Sequence, residues 1–167
     1  MLIRKVLILI TLINLFPVLS AKAQVPAPKV PEFTFYQLNK KAFTDKQLVK
    51  GKLLFFIFFD ATCDHCKHAL QQANLHSKDL NKTAVYLISM DSEKTIHAFL
   101  KDNAPDLMKS GNVLMLQDVN DEFIKKFTPR KYPSIFLYSR DKKLLLYDDN
   151  ESNMTHFFKL IEANQRK

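Results

Sequence analysis

The sequence predicts an α/β fold, a three-layer sandwich in which a central mixed β-sheet carries helices on both faces. Three observations predict it. Short apolar runs alternate along the chain with longer stretches of helical periodicity, the pattern of parallel βαβ units. The last two apolar runs, Ser134 to Tyr138 and Leu144 to Tyr147, are joined by Ser139-Arg140-Asp141-Lys142, which predicts an antiparallel hairpin. A length of 167 residues suits one domain with a sizeable core and is short for two.

Residues 1–23 have the pattern of a cleaved signal peptide. Arg4 and Lys5 form a basic start, Val6 to Phe16 is an apolar run, and Ala21-Lys22-Ala23 offers small residues at the cleavage positions. The run is about half of the ~20 residues that a membrane-spanning helix needs, although an uncleaved anchor is the alternative. Export would bring the chain into a compartment, periplasmic or extracellular, where thiol-disulfide state varies. Residues 24–32, with three prolines in Gln24 to Pro31, read as an extended linker. The remaining residues, 33–167, form the predicted domain.

Within that domain, Phe33 to Gln37 alternates apolar and polar side chains, as an edge strand does. Thr44 to Leu48 reads as one capped helical turn. Leu53 to Phe59 (LLFFIFF) has no polar residue, which predicts a strand buried on both faces. From Cys63 to about Leu80 no Gly or Pro intervenes, and Ala69, Leu70 and Ala73 share a helical face. Ala84 to Met90 is a second buried strand. Ser92 opens a helix carrying Ile96, Phe99 and Leu100, which ends near Asn103 before Pro105. A short strand at Val113 to Leu116 precedes a helix from Asn120 to Phe127, with Phe123, Ile124 and Phe127 together. After the hairpin, Ser152 to Gln165 closes the chain with Met154, Phe157, Phe158 and Ile161 on one stripe.

With 14 Phe and only 2 Gly, the core is expected to be aromatic. Three of the 25 basic residues lie in the leader, leaving 22 against 17 acidic ones, a net of +5. The lysines are scattered rather than striped along a helix, so nucleic acid is not an expected partner.

Chemistry concentrates in Phe58 to Gln72, FFDATCDHCKHALQQ, which holds both cysteines of the chain, Cys63 and Cys66. At the end of a buried strand and the start of a helix, a thiol meets unpaired N–H groups and the helix dipole. Thiols in such places ionise at about pH 3.5–7.5. Cys66 follows one helical turn later, on the same side and more buried. Cys63 would attack a disulfide and Cys66 would resolve the mixed disulfide. Two other readings remain. A metal site would need His65, His68 or His76 to complete it, because four ligands are usual and only two cysteines exist. A purely structural disulfide would close a loop too short to gain much entropy. Covalent haem attachment fails, since Lys67 follows the second cysteine. His65, between the cysteines, is either a cation that stabilises the thiolate or an exposed residue without a role there. Thr62 is a candidate helix cap.

FFDATCDHCK after a buried strand resembles the active site of the thioredoxin fold. FTPRKYPSIFLY resembles that fold's cis-proline loop, with Tyr132-Pro133 at the cis bond. The upstream VPEFTFYQLN and FTDKQLVKGKLLFFIFF resemble exported TlpA-like and redoxin-type thiol-disulfide oxidoreductases. The resemblance implies Cys63 as nucleophile, Cys66 as resolving cysteine and Pro133 facing the disulfide. The Tyr132 backbone would then pair with an extended substrate strand. It implies exchange with protein thiols and disulfides of the cell envelope, with a membrane electron donor where the flow is reductive. No cofactor is expected, nor membrane integration after cleavage, and the chain is expected to be a monomer. The alternative is a metal-binding or substrate-holding module without turnover.

The chain departs from the family pattern in four places. Thr62 replaces the aromatic residue usual before the first cysteine, and Gln71 replaces a helix proline. Ile57 stands where thioredoxin has a buried acid, leaving Asp60 as a substitute proton acceptor or a mere strand-end residue. Asp60 also stands where a peroxide-reducing branch would carry Thr or Ser, which disfavours peroxidase activity.

Overall fold

The computed structural model describes residues 24–165, so the expected leader, 1–23, lies outside the described residues. The elements run β1 (Thr34–Gln37), β2 (Ala42–Thr44), β3 (Leu54–Phe58), α1 (Asp64–Leu75), β4 (Ala84–Ser89), α2 (Glu93–Asn103), α3 (Pro105–Lys109), β5 (Val113–Gln117), α4 (Glu122–Phe127), β6 (Ser134–Tyr138), β7 (Leu144–Asp148) and α5 (Met154–Gln165). The strands form one mixed sheet in the order β2-β1-β5-β4-β3-β6-β7. β3, β4 and β5 are mutually parallel, and the remaining pairings are antiparallel. The expected three-layer α/β sandwich is therefore the observed architecture.

β3 occupies the middle because both its faces are apolar. Phe55 and Ile57, with Phe59 beyond the strand end, join a core with Ala69, Leu70 and Ala73 of α1, Ile96 and Leu100 of α2, Leu107 of α3, and Met154, Phe157 and Ile161 of α5. Leu54, Phe56 and Phe58 face the other way, against Phe123 and Phe127 of α4 and Phe33, Phe35 and Phe136. That second face is mostly aromatic. Phe123 stacks on Phe58 with ring centroids 4.4 Å apart and on Phe127 at 4.2 Å. Burying such rings supplies large apolar area together with specific ring geometry.

Several elements differ from the sequence-based expectation. β1 is not the edge strand: β2, three residues long, pairs outside it with Phe35 opposite Phe43. Lys40, at φ 65°, turns the chain between them. α1 ends at Leu75 rather than near Leu80, and a series of tight turns carries the chain from His76 to Thr83. Pro105 ends one helix and begins another: it occupies the first turn of α3, where a missing N–H costs nothing. The side chain of Asn74 supplies a distant cap for α3, accepting from the N–H groups of Asp106 (2.8 Å) and Leu107 (3.1 Å). On α4, Ile124 is exposed while Phe123 and Phe127 are buried, so the three do not share a face.

Residues 24–32, read as an extended linker, lie along the domain. Ala27 donates its N–H to the Phe127 carbonyl, Val30 donates to Lys142, and Pro28 accepts from the N–H of Leu144. The buried Tyr138 hydroxyl donates to the Ala27 carbonyl at 3.1 Å. Among the described residues, no helix is long and apolar enough to cross a membrane.

Candidate active site

Parallel strands that end together leave their following loops at one edge of the sheet, where sites of α/β folds form. β3 leads to Asp60 and Cys63, β4 to Met90 and Asp91, and β5 to Asp118. β6 runs antiparallel to β3 with Ser134 opposite Phe58, so Tyr132 and Pro133 lie beside the residues that lead to Cys63. The Tyr132–Pro133 peptide bond is cis.

Cys63 is the N-cap of α1, with extended backbone angles. Its Sγ accepts the N–H of Cys66 at 3.2 Å, the bond that a capping oxygen would ordinarily take. The cap expected from Thr62 is thus supplied by the sulfur itself. Thr62 turns back instead, donating its N–H (2.7 Å) and its hydroxyl (2.6 Å) to Oδ1 of Asp60. An N–H aimed at sulfur from the first turn of a helix favours negative charge there. Cys63 is half-buried, Cys66 is fully buried, and both are free thiols. Burial pushes the Cys66 thiol well above the ordinary range, opposed in part by a hydrogen bond from the Asp60 backbone.

The other three residues singled out by sequence also reach this edge. The Nδ1 of His65 lies 2.7 Å from Oε1 of Glu151, in the 3-10 turn that precedes α5. Burial works to raise the Glu151 carboxyl, but the hydrogen bond and charge of His65 outweigh it, so the group lies below the usual carboxylate range. The Tyr132 ring rests on Phe58 with centroids 4.7 Å apart, and its hydroxyl meets the Met90 sulfur at 3.4 Å. Burial first, then the charges of Asp60 and Asp91, push the Tyr132 phenol up to about 12. Pro133 follows at the start of β6.

Sequence reasoning missed Glu151, Met90 and Asp91. Asp91 braces the loop before the cysteines, its Oδ2 accepting from the N–H of Ala61 (2.9 Å) and the hydroxyl of Ser89 (2.8 Å). No periodicity marks such turn residues; only their place after a buried strand hints at them. A cavity of about 370 Å³ lies elsewhere, between His76 and α5. Neither cysteine lines it. Among the described residues, no group of three His, Cys, Asp or Glu side chains converges as a metal site.

Known proteins give this geometry a context. No curated protein is significantly similar in sequence. Among solved structures, the peroxidoxin BcpB of Mycobacterium tuberculosis superposes with a TM-score of 0.68 at 12% identity, covering 87% of this chain and 100% of that one. A thiol-disulfide oxidoreductase of Bacteroides fragilis superposes with a TM-score of 0.65 at 18% identity, covering 80% and 98%. Copper-bound ScoI of Arabidopsis thaliana gives 0.60 at 16% identity, covering 84% and 100%. These likenesses establish the thioredoxin-like fold. The model of the AhpC/TSA family matches residues 26–146, most of the chain and both cysteines within it. The protein belongs to the AhpC/TSA family.

Proposed function

We propose that this chain is an exported thiol-disulfide oxidoreductase that exchanges electrons with protein disulfides of the cell envelope, as a reductase or a general exchanger. The observation that carries the reading is the pairing of Cys63 with Cys66. One sulfur is half-exposed and accepts an N–H at a helix start; the other is buried one turn on. Cys63 attacks a substrate disulfide, forming a mixed disulfide and releasing one substrate thiolate. Cys66 then displaces the second, leaving a Cys63–Cys66 disulfide. Pro133 and the Tyr132 backbone flank the cysteines as a surface for an extended substrate segment. Family membership supports oxidoreductase chemistry in general. The leader pattern of residues 1–23 supports export, and the TlpA-like resemblance supports the reductive direction with a membrane donor. Asp60, three residues before Cys63, weighs against peroxide reduction.

A second reading keeps the same thiols in a metal-binding or substrate-holding module without turnover, and the copper bound by ScoI is the observation that favours it. Equilibration of the purified protein with glutathione mixtures separates the two. A two-electron transition that disappears in Cys63→Ser supports exchange, and its midpoint gives the direction. Stoichiometric copper or zinc uptake without any such transition reverses the ranking.

A further inference from the structure

The loop that carries Tyr132 and Pro133 past the cysteines is held from the last strand of the sheet. β7 pairs with β6 in a register that sets Tyr147 opposite Phe136, so the end of β7 runs beside the residues that open β6. The Tyr147 ring packs edge-on against Phe136 with centroids 4.6 Å apart. Its hydroxyl accepts the N–H of Arg130 at 3.0 Å and lies 3.0 Å from Oγ of Ser134. One side chain thus grips the loop on both sides of Tyr132–Pro133. The same hydroxyl donates to Oδ2 of Asp149 at 3.1 Å. Asp149 in turn draws in both cations of the loop. Nε of Arg130 lies 2.7 Å from its Oδ2, and Nζ of Lys131 lies 3.7 Å from its Oδ1. The Asp149 side chain is only 14% exposed, so these contacts are screened less than those of a fully solvated pair. The Arg130 guanidinium sits over the Tyr147 ring, 4.9 Å from its centroid. Ser134 closes the set by donating to the Lys131 carbonyl at 2.7 Å. The backbone ladder already holds β6 and β7 together. What these side chains add is a fixed path for residues 130–134.

We propose that Tyr147, with Asp149 behind it, is a positioning residue that holds the Tyr132 backbone ready to pair with an extended disulfide-bearing segment. The pair thereby selects disulfides that stand in a strand-forming backbone over those that do not. This rests on the exchange reading above and deepens it. A loop left free must be ordered each time a segment docks, and that entropy is subtracted from binding. A loop already fixed avoids the cost. The benefit goes only to segments that pair with the loop, and an attack by Cys63 that makes no use of the loop does not share it.

Two chromogenic probes test this. Both are short alanine-based peptides whose single cysteine carries a thionitrobenzoate disulfide. One is N-methylated on the backbone at both sides of that cysteine and so lacks the N–H groups that strand pairing needs. Attack by Cys63 on the peptide sulfur captures the peptide as a mixed disulfide and releases thionitrobenzoate, so each rate is read by colour. The readout is the ratio of the two rates. Reduced wild-type protein should prefer the unmethylated peptide by roughly tenfold. Tyr147→Phe keeps the ring and removes the hydroxyl, and should lower that preference by roughly threefold or more. Asp149→Ala should lower it as well. A purely structural role would slow both probes alike, so an unchanged ratio in Tyr147→Phe overturns the proposal. Should that variant not fold, Asp149→Ala decides on the same ratio. Equal rates for the two probes in wild type would contradict pairing at Tyr132 and remove this role with it. Release from neither probe would instead sink the exchange reading.

Discussion

Glu151 holds the imidazole of His65: Nδ1 and Oε1 lie 2.7 Å apart although the residues are 86 positions apart in sequence. The contact ties the first turn of α1, beside the cysteines, to the turn that starts α5. His65 is 70% exposed and Glu151 19%, so the contact lies at the surface rather than in the core. Glu151→Gln should therefore cost only about 0.2–1 kcal/mol of stability. The depressed Glu151 carboxyl fixes the sign of the pH dependence. Its contribution is complete above the ordinary glutamate value of about 4.3 and is lost as pH falls through the lower folded value. Urea unfolding of both proteins should give a difference at pH 6 that closes towards pH 3.

Substitution of the cysteines should have unequal effects. Cys63→Ser should abolish exchange with little loss of stability, since the side chain is half-buried and serine caps helices well. Cys66→Ser puts a hydroxyl into a site with no solvent exposure and should cost about 1–3 kcal/mol. It should also accumulate mixed disulfides on Cys63, which non-reducing gels of extracts carrying the variant would reveal.

The aromatic face offers a contrast between neighbours. Phe123 is buried among Phe35, Phe58, Phe127 and Phe136. Phe123→Ala should cost about 3–5 kcal/mol. The next residue, Ile124, is 40% exposed, and Ile124→Ala should stay within about 0.5 kcal/mol. Chemical denaturation of the pair would check both.

Tyr138 gives an alkaline signature. Burial raises its phenol above the ordinary value, so the unfolded chain ionises first. Its contribution is present below about pH 10 and is lost as pH rises beyond, at roughly 1.4 kcal/mol per pH unit. Tyr138→Phe should reduce that alkaline loss. At neutral pH it should cost about 0.5–1.5 kcal/mol, because the bond to the Ala27 carbonyl goes. Thermal unfolding between pH 7 and 11 measures both effects.

Much of this was legible in sequence where side-chain patterning dictates structure. LLFFIFF reads as a strand covered on both faces and is one over Leu54–Phe58, and the Met154, Phe157, Phe158 and Ile161 stripe sits buried on α5 as read. β2 was not legible, because three residues carry no periodicity and exist as a strand only by pairing with β1. The start of α3 was hidden in Pro105, whose signal as a helix terminator masked its fitness as a helix start. At the site, the cysteine spacing marked the chemistry, but the cap did not follow from composition. Thr62 has the better capping chemistry, yet Asp60 draws it away and sulfur takes the position. Glu151 and Asp91 were invisible because they reach the site through tertiary folding alone.

Reactivity of Cys63 tests the central claim most directly. In Cys66→Ser, with one thiol remaining, iodoacetamide alkylation at pH 7 can be timed in folded protein and in urea. The account predicts faster alkylation in the folded state, because the helix start and the neighbouring N–H favour the thiolate. Alkylation in the folded state no faster than in the unfolded chain would contradict it.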